Sequence, residues 1–197
     1  MRARLIGALA AVMGGAALLA ATAWAGANFV HFPTGFERSY VMLLQVDKIH
    51  TAELRRVYMN PEAVRQVKPD APLPYGTRIV MADWTAKLGA DNKPLVDAQG
   101  HFVPDKPIVT LVQEKQPGWG DRRRVGQGWA GEWEFALFSP AGELLVDHGS
   151  VYQPCFDCHN LRPTMDYTYV VARYFADRFA AGKGLPTAPA APGSAKR

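Results

Sequence analysis

Glu132-Trp133-Glu134-Phe135-Ala136-Leu137-Phe138 decides the fold class. Trp133, Phe135 and Leu137 take alternate positions, the two-residue period of a strand with one face in a core. Ser139-Pro140-Ala141-Gly142 follows as a turn, and residues 143–146 read as the return strand of a hairpin. Outward from there, residues 108–114 (IVTLVQE) form another strand, apolar enough to be central. Residues 76–84 open on a turn glycine, Gly76, and continue with β-branched residues as a further strand. Residues 87–107 are rich in Gly, Asp, Asn and Pro and predict a long loop or an irregular hairpin. Residues 39–45 (SYVMLLQ) are apolar without a period that separates strand from helix. With no three long amphipathic helices among these segments, a helical bundle does not fit. The expectation is an α+β fold: a mostly antiparallel β-sheet with short N-terminal helices and a C-terminal helix.

The helices are read from their ends. Thr51 reads as an N-cap for a helix to residue 59, with Leu54, Val57 and Tyr58 at helical spacing. Asn60-Pro61 restarts the chain, Asn as cap and Pro at the first helical position, for a short helix over 62–68 that Pro69, Pro72 and Pro74 end. Near the C-terminus, Thr164 caps a helix that Gly182 stops, with Asp166 in its first turn. Tyr167, Val170, Val171, Tyr174, Phe175 and Phe179 form its apolar stripe. Residues 183–197, rich in Pro, Ala, Gly and Ser, read as a disordered tail.

Residues 1–25 have the pattern of a secretory signal peptide: Arg2 and Arg4, an apolar run, then Ala23-Trp24-Ala25 as a cleavage site. The competing reading is an uncleaved anchor, since residues 5–24 carry no charge and are long enough to span a bilayer. Cleavage leaves one domain over 26–182, roughly 170 residues with the tail, enough for a real core. It also takes two arginines and no acid from the formal charge of +4, so the mature chain is only mildly basic. Arg122-Arg123-Arg124 is the only basic cluster, and no nucleic-acid partner is expected.

The chain has only two cysteines, and both stand in Cys155-Phe156-Asp157-Cys158-His159. This is C-x-x-C-H, the attachment sequence for c-type haem. Two thiols three positions apart reach the porphyrin vinyl groups and form thioethers, and the adjoining His159 offers a ring nitrogen as axial iron ligand. Rival readings are a redox dithiol, which usually opens a helix in a βαβ pattern absent here, and a zinc site, which lacks a second pair of ligands. A strained disulfide is the third. The cofactor expected is one covalently attached haem c, and export to the periplasm agrees with it.

Six pieces in order carry a resemblance: Phe32-Pro33-x-Gly35-Phe36-x-Arg38, Tyr58-x-Asn60, Tyr75-Gly76-Thr77-x-Ile79-Val80, Gly118-Trp119-Gly120, the C-x-x-C-H motif and Asp166-Tyr167. Together they cover most of residues 32–180, and the chain resembles the cytochrome P-460 / cytochrome c′-beta family. The resemblance implies a mostly antiparallel β fold with helices, a single haem, often a homodimer, and a five-coordinate iron whose open face takes small molecules. P-460 members oxidise hydroxylamine and carry a lysine joined to the haem; c′-beta members bind NO and CO under a phenylalanine-lined cap. Arg38 falls where the family often has an early arginine and is a candidate for the distal pocket. Phe135, with Phe36, Trp84 and Phe138, is a candidate for the distal wall. Neither Lys68 nor Lys87 matches the cross-linking lysine.

Three functions follow. The first is a periplasmic cytochrome whose open iron site binds NO, CO or a hydroxylamine-like nitrogen compound. The second is an enzyme oxidising hydroxylamine, with Glu132, Glu134 and Asp83 available as proton acceptors. The third is an electron carrier, with a redox partner cytochrome and a sixth ligand from Met42, Met59, Met81, His31, His50, His101 or His148. Met165, six residues beyond His159, has only a short path around the porphyrin edge.

Overall fold

A computed structural model of the protein describes residues 30–120, 130–146 and 153–188. The expected signal peptide, the Arg122-Arg123-Arg124 cluster, His148 and residues 189–197 of the expected tail lie outside the described residues. Six strands follow one another in an antiparallel meander: β1 (Val41–Lys48), β2 (Glu53–Met59), β3 (Arg78–Ala86), β4 (Pro104–Lys115), β5 (Trp133–Phe138) and β6 (Leu144–Val146). The helix α1 (Phe36–Ser39) precedes β1 and α2 (Pro61–Val64) precedes β3, while α3 (Gln153–Asn160) and α4 (Val170–Ala180) follow the sheet. This is the α+β, mostly antiparallel arrangement that the alternation of β5 implied. Among the described residues no helix is long and apolar enough to cross a membrane.

Both faces of the sheet are covered, and alternate residues of each central strand serve different cores. Val57, Met59, Ile79, Trp133 and Phe135 pack with Val64 of α2 and with Val171 and Phe175 of α4. Tyr58, Val80, Val112, Ala136 and Phe138 pack on the other face with Val30 and with Phe36 of α1. Val57, Val80 and Met59 are fully buried, each removal from water stabilising by about 1.5–3 kcal/mol. Leu185 and Ala188, beyond α4, also pack against the first core.

The helix expected over 51–59 is instead strand β2. A turn after Lys48, with Ala52 in the left-handed region at φ 50°, reverses the chain. Val57 and Tyr58 then pair with Leu44 and Met42 on one side and with Met81 and Val80 on the other. A strand buried on both faces loses its two-residue period, so Leu54, Val57 and Tyr58 match a helical spacing by coincidence. The undecided segment at 39–45 becomes β1. Asn60-Pro61 does start a helix, but it is one turn long, and Asn60 does not cap it. Its side chain accepts from the Arg78 N–H at 2.8 Å and donates to the Gly76 carbonyl at 3.2 Å. Of the segment expected as a loop or irregular hairpin, residues 87–103 form an irregular hairpin, with bridges at Leu88–Pro94 and Val96–Phe102, while residues 104–107 already belong to β4.

Near the C-terminus Thr164 caps nothing. Pro163–Met165 is a single 3-10 turn, and Asp166 and Tyr167 follow it in left-handed conformation at φ 49° and 55°. α4 begins only at Val170.

Candidate functional site

The C-x-x-C-H motif lies in helix α3. Pro154 suits the first turn, where its missing N–H costs nothing, and Gln153 Nε2 donates to Asp157 one turn on at 2.6 Å. The Leu161 and Arg162 N–H groups close the last turn on the Cys158 and His159 carbonyls, and Pro163 cannot extend it. Spacings of three and four residues put Cys155, Cys158 and His159 on one helix face. That face walls a cavity of about 500 Å³, within the range of cofactor pockets. The opposite wall is the sheet. Val57, Met81, Leu111 and Leu137 form one register row across β2 to β5 and line it.

His159 is held from both sides of its ring. Its Nδ1–H donates to the Tyr167 carbonyl at 2.5 Å. Phe135 lies 4.9 Å away, centroid to centroid, and Tyr169 5.3 Å. Burial pushes the imidazole pKa down, and the Tyr167 carbonyl only partly opposes this. The ring is therefore neutral at neutral pH, with its proton on Nδ1 and the Nε2 lone pair left for a metal. A ligating histidine is usually oriented in this way, by a carbonyl on its other nitrogen.

The Tyr167 carbonyl is itself fixed from β4. Gln113, buried at 2% exposure, donates Nε2–H to the same oxygen at 3.1 Å. Two residues along the strand and on the same face, Lys115 Nζ donates to Asp166 at 2.9 Å and to the Leu73 carbonyl at 2.8 Å. Asp166 also accepts from the Leu73 N–H at 2.8 Å. These bonds hold two consecutive left-handed residues, which their side chains alone disfavour.

Cys155 is half-buried and Cys158 exposed, and no disulfide joins them. Burial, and then the neighbouring Cys158, raise the Cys155 pKa. The Tyr169 hydroxyl donates to the Cys158 carbonyl at 2.6 Å and lies 3.1 Å from Cys158 Sγ. Among the described residues no three His, Cys, Asp or Glu side chains converge on one point, as a tetrahedral zinc site needs. The residues fit a c-type haem: two thiols and a neutral imidazole with a free Nε2 share one face over a mostly apolar cavity. At another part of the wall stand Lys48 and Arg55. Arg55 makes a two-point bond to the buried Asp83 at 2.6 and 2.8 Å, and Lys48 reaches Asp83 at 2.9 Å and Glu53 at 3.2 Å.

Of the residues singled out in the sequence, Cys155, Cys158, His159 and Phe135 come together. Phe135 packs directly on the His159 ring. Arg38 stands apart: α1 packs on the other face of the sheet, so Arg38 borders a second cavity, of about 360 Å³, with Phe36 and Trp84. Phe138 belongs to that face too. Among the described residues, Met81 is the one candidate sixth ligand that lines the cavity; Met59 is in the core, and Met42, His31, His50 and His101 are exposed. Glu132 accepts from the Gly120 N–H at 2.9 Å, and Glu134 lies on the opposite face of β5 from Phe135.

Gln113, Lys115, Lys48 and Arg55 were missed. A glutamine and a lysine at alternate positions of an otherwise apolar strand are a readable signal, since buried polar side chains require partners. Lys48 and Arg55 became visible as one cluster only once residues 53–59 were a strand beside β1.

The family model Cytochrome P460 matches residues 33–170. No curated protein matches the chain.

Proposed function

Because the chain belongs to the cytochrome P460 family, we propose that it is an exported monohaem c-type cytochrome whose iron keeps one open face for a small ligand such as NO, CO or a hydroxylamine-like compound. The observation that carries this reading is the oriented imidazole of His159. His159 offers Nε2 on the face that also bears Cys155 and Cys158, over a mostly apolar cavity. When bound, the haem supplies an iron centre for ligand binding or electron exchange. Cys155 and Cys158 tether it, and the Tyr167 carbonyl keeps the proton of His159 on Nδ1. Val57, Leu111 and Leu137 keep the pocket dry, which favours a neutral diatomic ligand over a charged one.

The oxidising-enzyme reading needs a proton acceptor at the pocket. Asp83 is the carboxylate nearest in role, and it is already engaged by Arg55 and Lys48. Of Lys48, Lys68 and Lys87, only Lys48 lines the cavity, and it too is paired. Met81 supports a second reading: its thioether lines the cavity and could close the sixth position, giving an electron carrier.

The test is the ferrous absorption spectrum of the purified holoprotein before and after CO. A shifted Soret band supports an open site. An unchanged spectrum in the wild type, with CO binding gained in Met81→Ala, assigns Met81 as the ligand and contradicts the open-site reading.

A further inference from the structure

The cavity wall is apolar over the register row of Val57, Met81, Leu111 and Leu137, yet it also carries two cations. Among the described residues Lys48 and Arg55 are the only Lys or Arg that line it. They face the same side of the sheet as Val57, since Arg55 precedes it by two residues and Lys48 lies two residues beyond Val46, the partner of Arg55. They are also remote from the thiols. Phe135, which touches His159, shares a register row with Gln113, Ile79 and Met59. Arg55 lies four residues along β2 from Met59 and three strands from β5, a backbone separation of about 19 Å.

We propose that Lys48 and Arg55 bind a carboxylate of the cofactor, taking the propionate edge of the haem; this rests on the haem reading above. In a porphyrin bound through its vinyl groups, the propionates leave from the opposite edge. Thioethers at Cys155 and Cys158 therefore send the carboxylates away from α3, towards the wall where the cations stand. An unpaired carboxylate against an apolar wall is strongly disfavoured, and a guanidinium is the group best suited to receive it. Arg55 has donors to spare: Nε and one terminal nitrogen serve Asp83, leaving its other edge free. Asp83, 6% exposed, locks the guanidinium plane so that this edge has a fixed direction. Lys48 uses two of its three donors, on Glu53 and Asp83. The cluster is thus preorganised by its own acids, with unused N–H groups at the cavity.

The experiment uses holoprotein carrying haem labelled with ¹³C at the propionate carboxyls, with Lys48→Gln and Arg55→Lys as variants. Redox-difference infrared spectra isolate the labelled carboxylate bands. The expected result is a band shift in both variants, with a lowered midpoint potential in Lys48→Gln, where a positive charge at the propionate edge is lost, and little change in potential in Arg55→Lys, where charge is kept. Labelled bands identical to wild type in both haem-loaded variants overturn the proposal. So does a weakened affinity for added azide with unchanged bands, which assigns the cations to an exogenous anion. A wild-type protein that carries no haem contradicts the parent reading instead.

Discussion

The Nδ1–H of His159 and the carbonyl oxygen of Tyr167, 2.5 Å apart, tie helix α3 to a turn of two left-handed residues. The bond decides which nitrogen of the imidazole is free. It also makes the ligand depend on residues distant in sequence, because the same carbonyl accepts from Gln113.

Gln113→Met keeps the volume and removes that second donor. The Tyr167 carbonyl then loses the Gln113 donor and accepts more strongly from His159, and the imidazole becomes the stronger donor to iron. The iron–histidine stretching frequency of the ferrous protein, read by resonance Raman, should rise. Stability should fall by about 1 kcal/mol, the usual worth of one such bond. An unchanged frequency would mean that Gln113 only packs.

Lys115 and Asp166 form an ion pair with side chains only 9% and 14% exposed. Lys115→Met strands the carboxylate, so denaturant unfolding should show a loss of about 3–5 kcal/mol. Lys115→Met combined with Asp166→Asn should recover part of that loss, because no unpaired charge remains. A double variant as unstable as the sum of the singles would contradict the pairing.

Much of the fold could be read from the chain because β5 is explicit. Trp133, Phe135 and Leu137 alternate, and Ser139 to Gly142 turns the chain back. β2 was hidden because both of its faces are buried, leaving no period to see. The site divides in the same way. Cys155, Cys158 and His159 announce themselves by spacing alone. The Tyr167 carbonyl cannot, since a backbone oxygen has no signature and its direction depends on φ values that neither Asp166 nor Tyr167 advertises. Arg38 went to the other face because α1 packs through Phe36 against Tyr58, at 5.2 Å between centroids, away from α3.

Gly131 supplies a test of the turn from its other side. It has φ 61°, and a Cβ built on it would lie 2.5 Å from the Tyr167 ring. Gly131→Ala combines a left-handed alanine with that collision, costing about 1–3 kcal/mol. Because the ring must move, the iron–histidine frequency should also shift, which a purely local strain would leave untouched.

The pH dependence of stability follows from Asp83. Burial alone would raise its pKa, but hydrogen bonds from Arg55 and Lys48 outweigh that and hold the carboxyl below its ordinary value. A folded-state pKa below the unfolded one stabilises the protein fully above the ordinary carboxylate range. That contribution is lost as pH falls through the depressed value. Unfolding midpoints measured from neutral to acid pH should therefore fall less steeply in Asp83→Asn than in the wild type. Equal slopes would remove Asp83 from the acid-sensitive groups.

The central claim is that the two thiols of α3 carry the haem. Mass spectrometry of the peptide spanning Cys155 to His159, from protein matured in cells able to assemble c-type cytochromes, tests it most directly. The account predicts that this peptide alone retains the mass of haem after acid extraction, with neither thiol open to alkylation. Recovery of the peptide with both cysteines alkylated and no haem mass would contradict it.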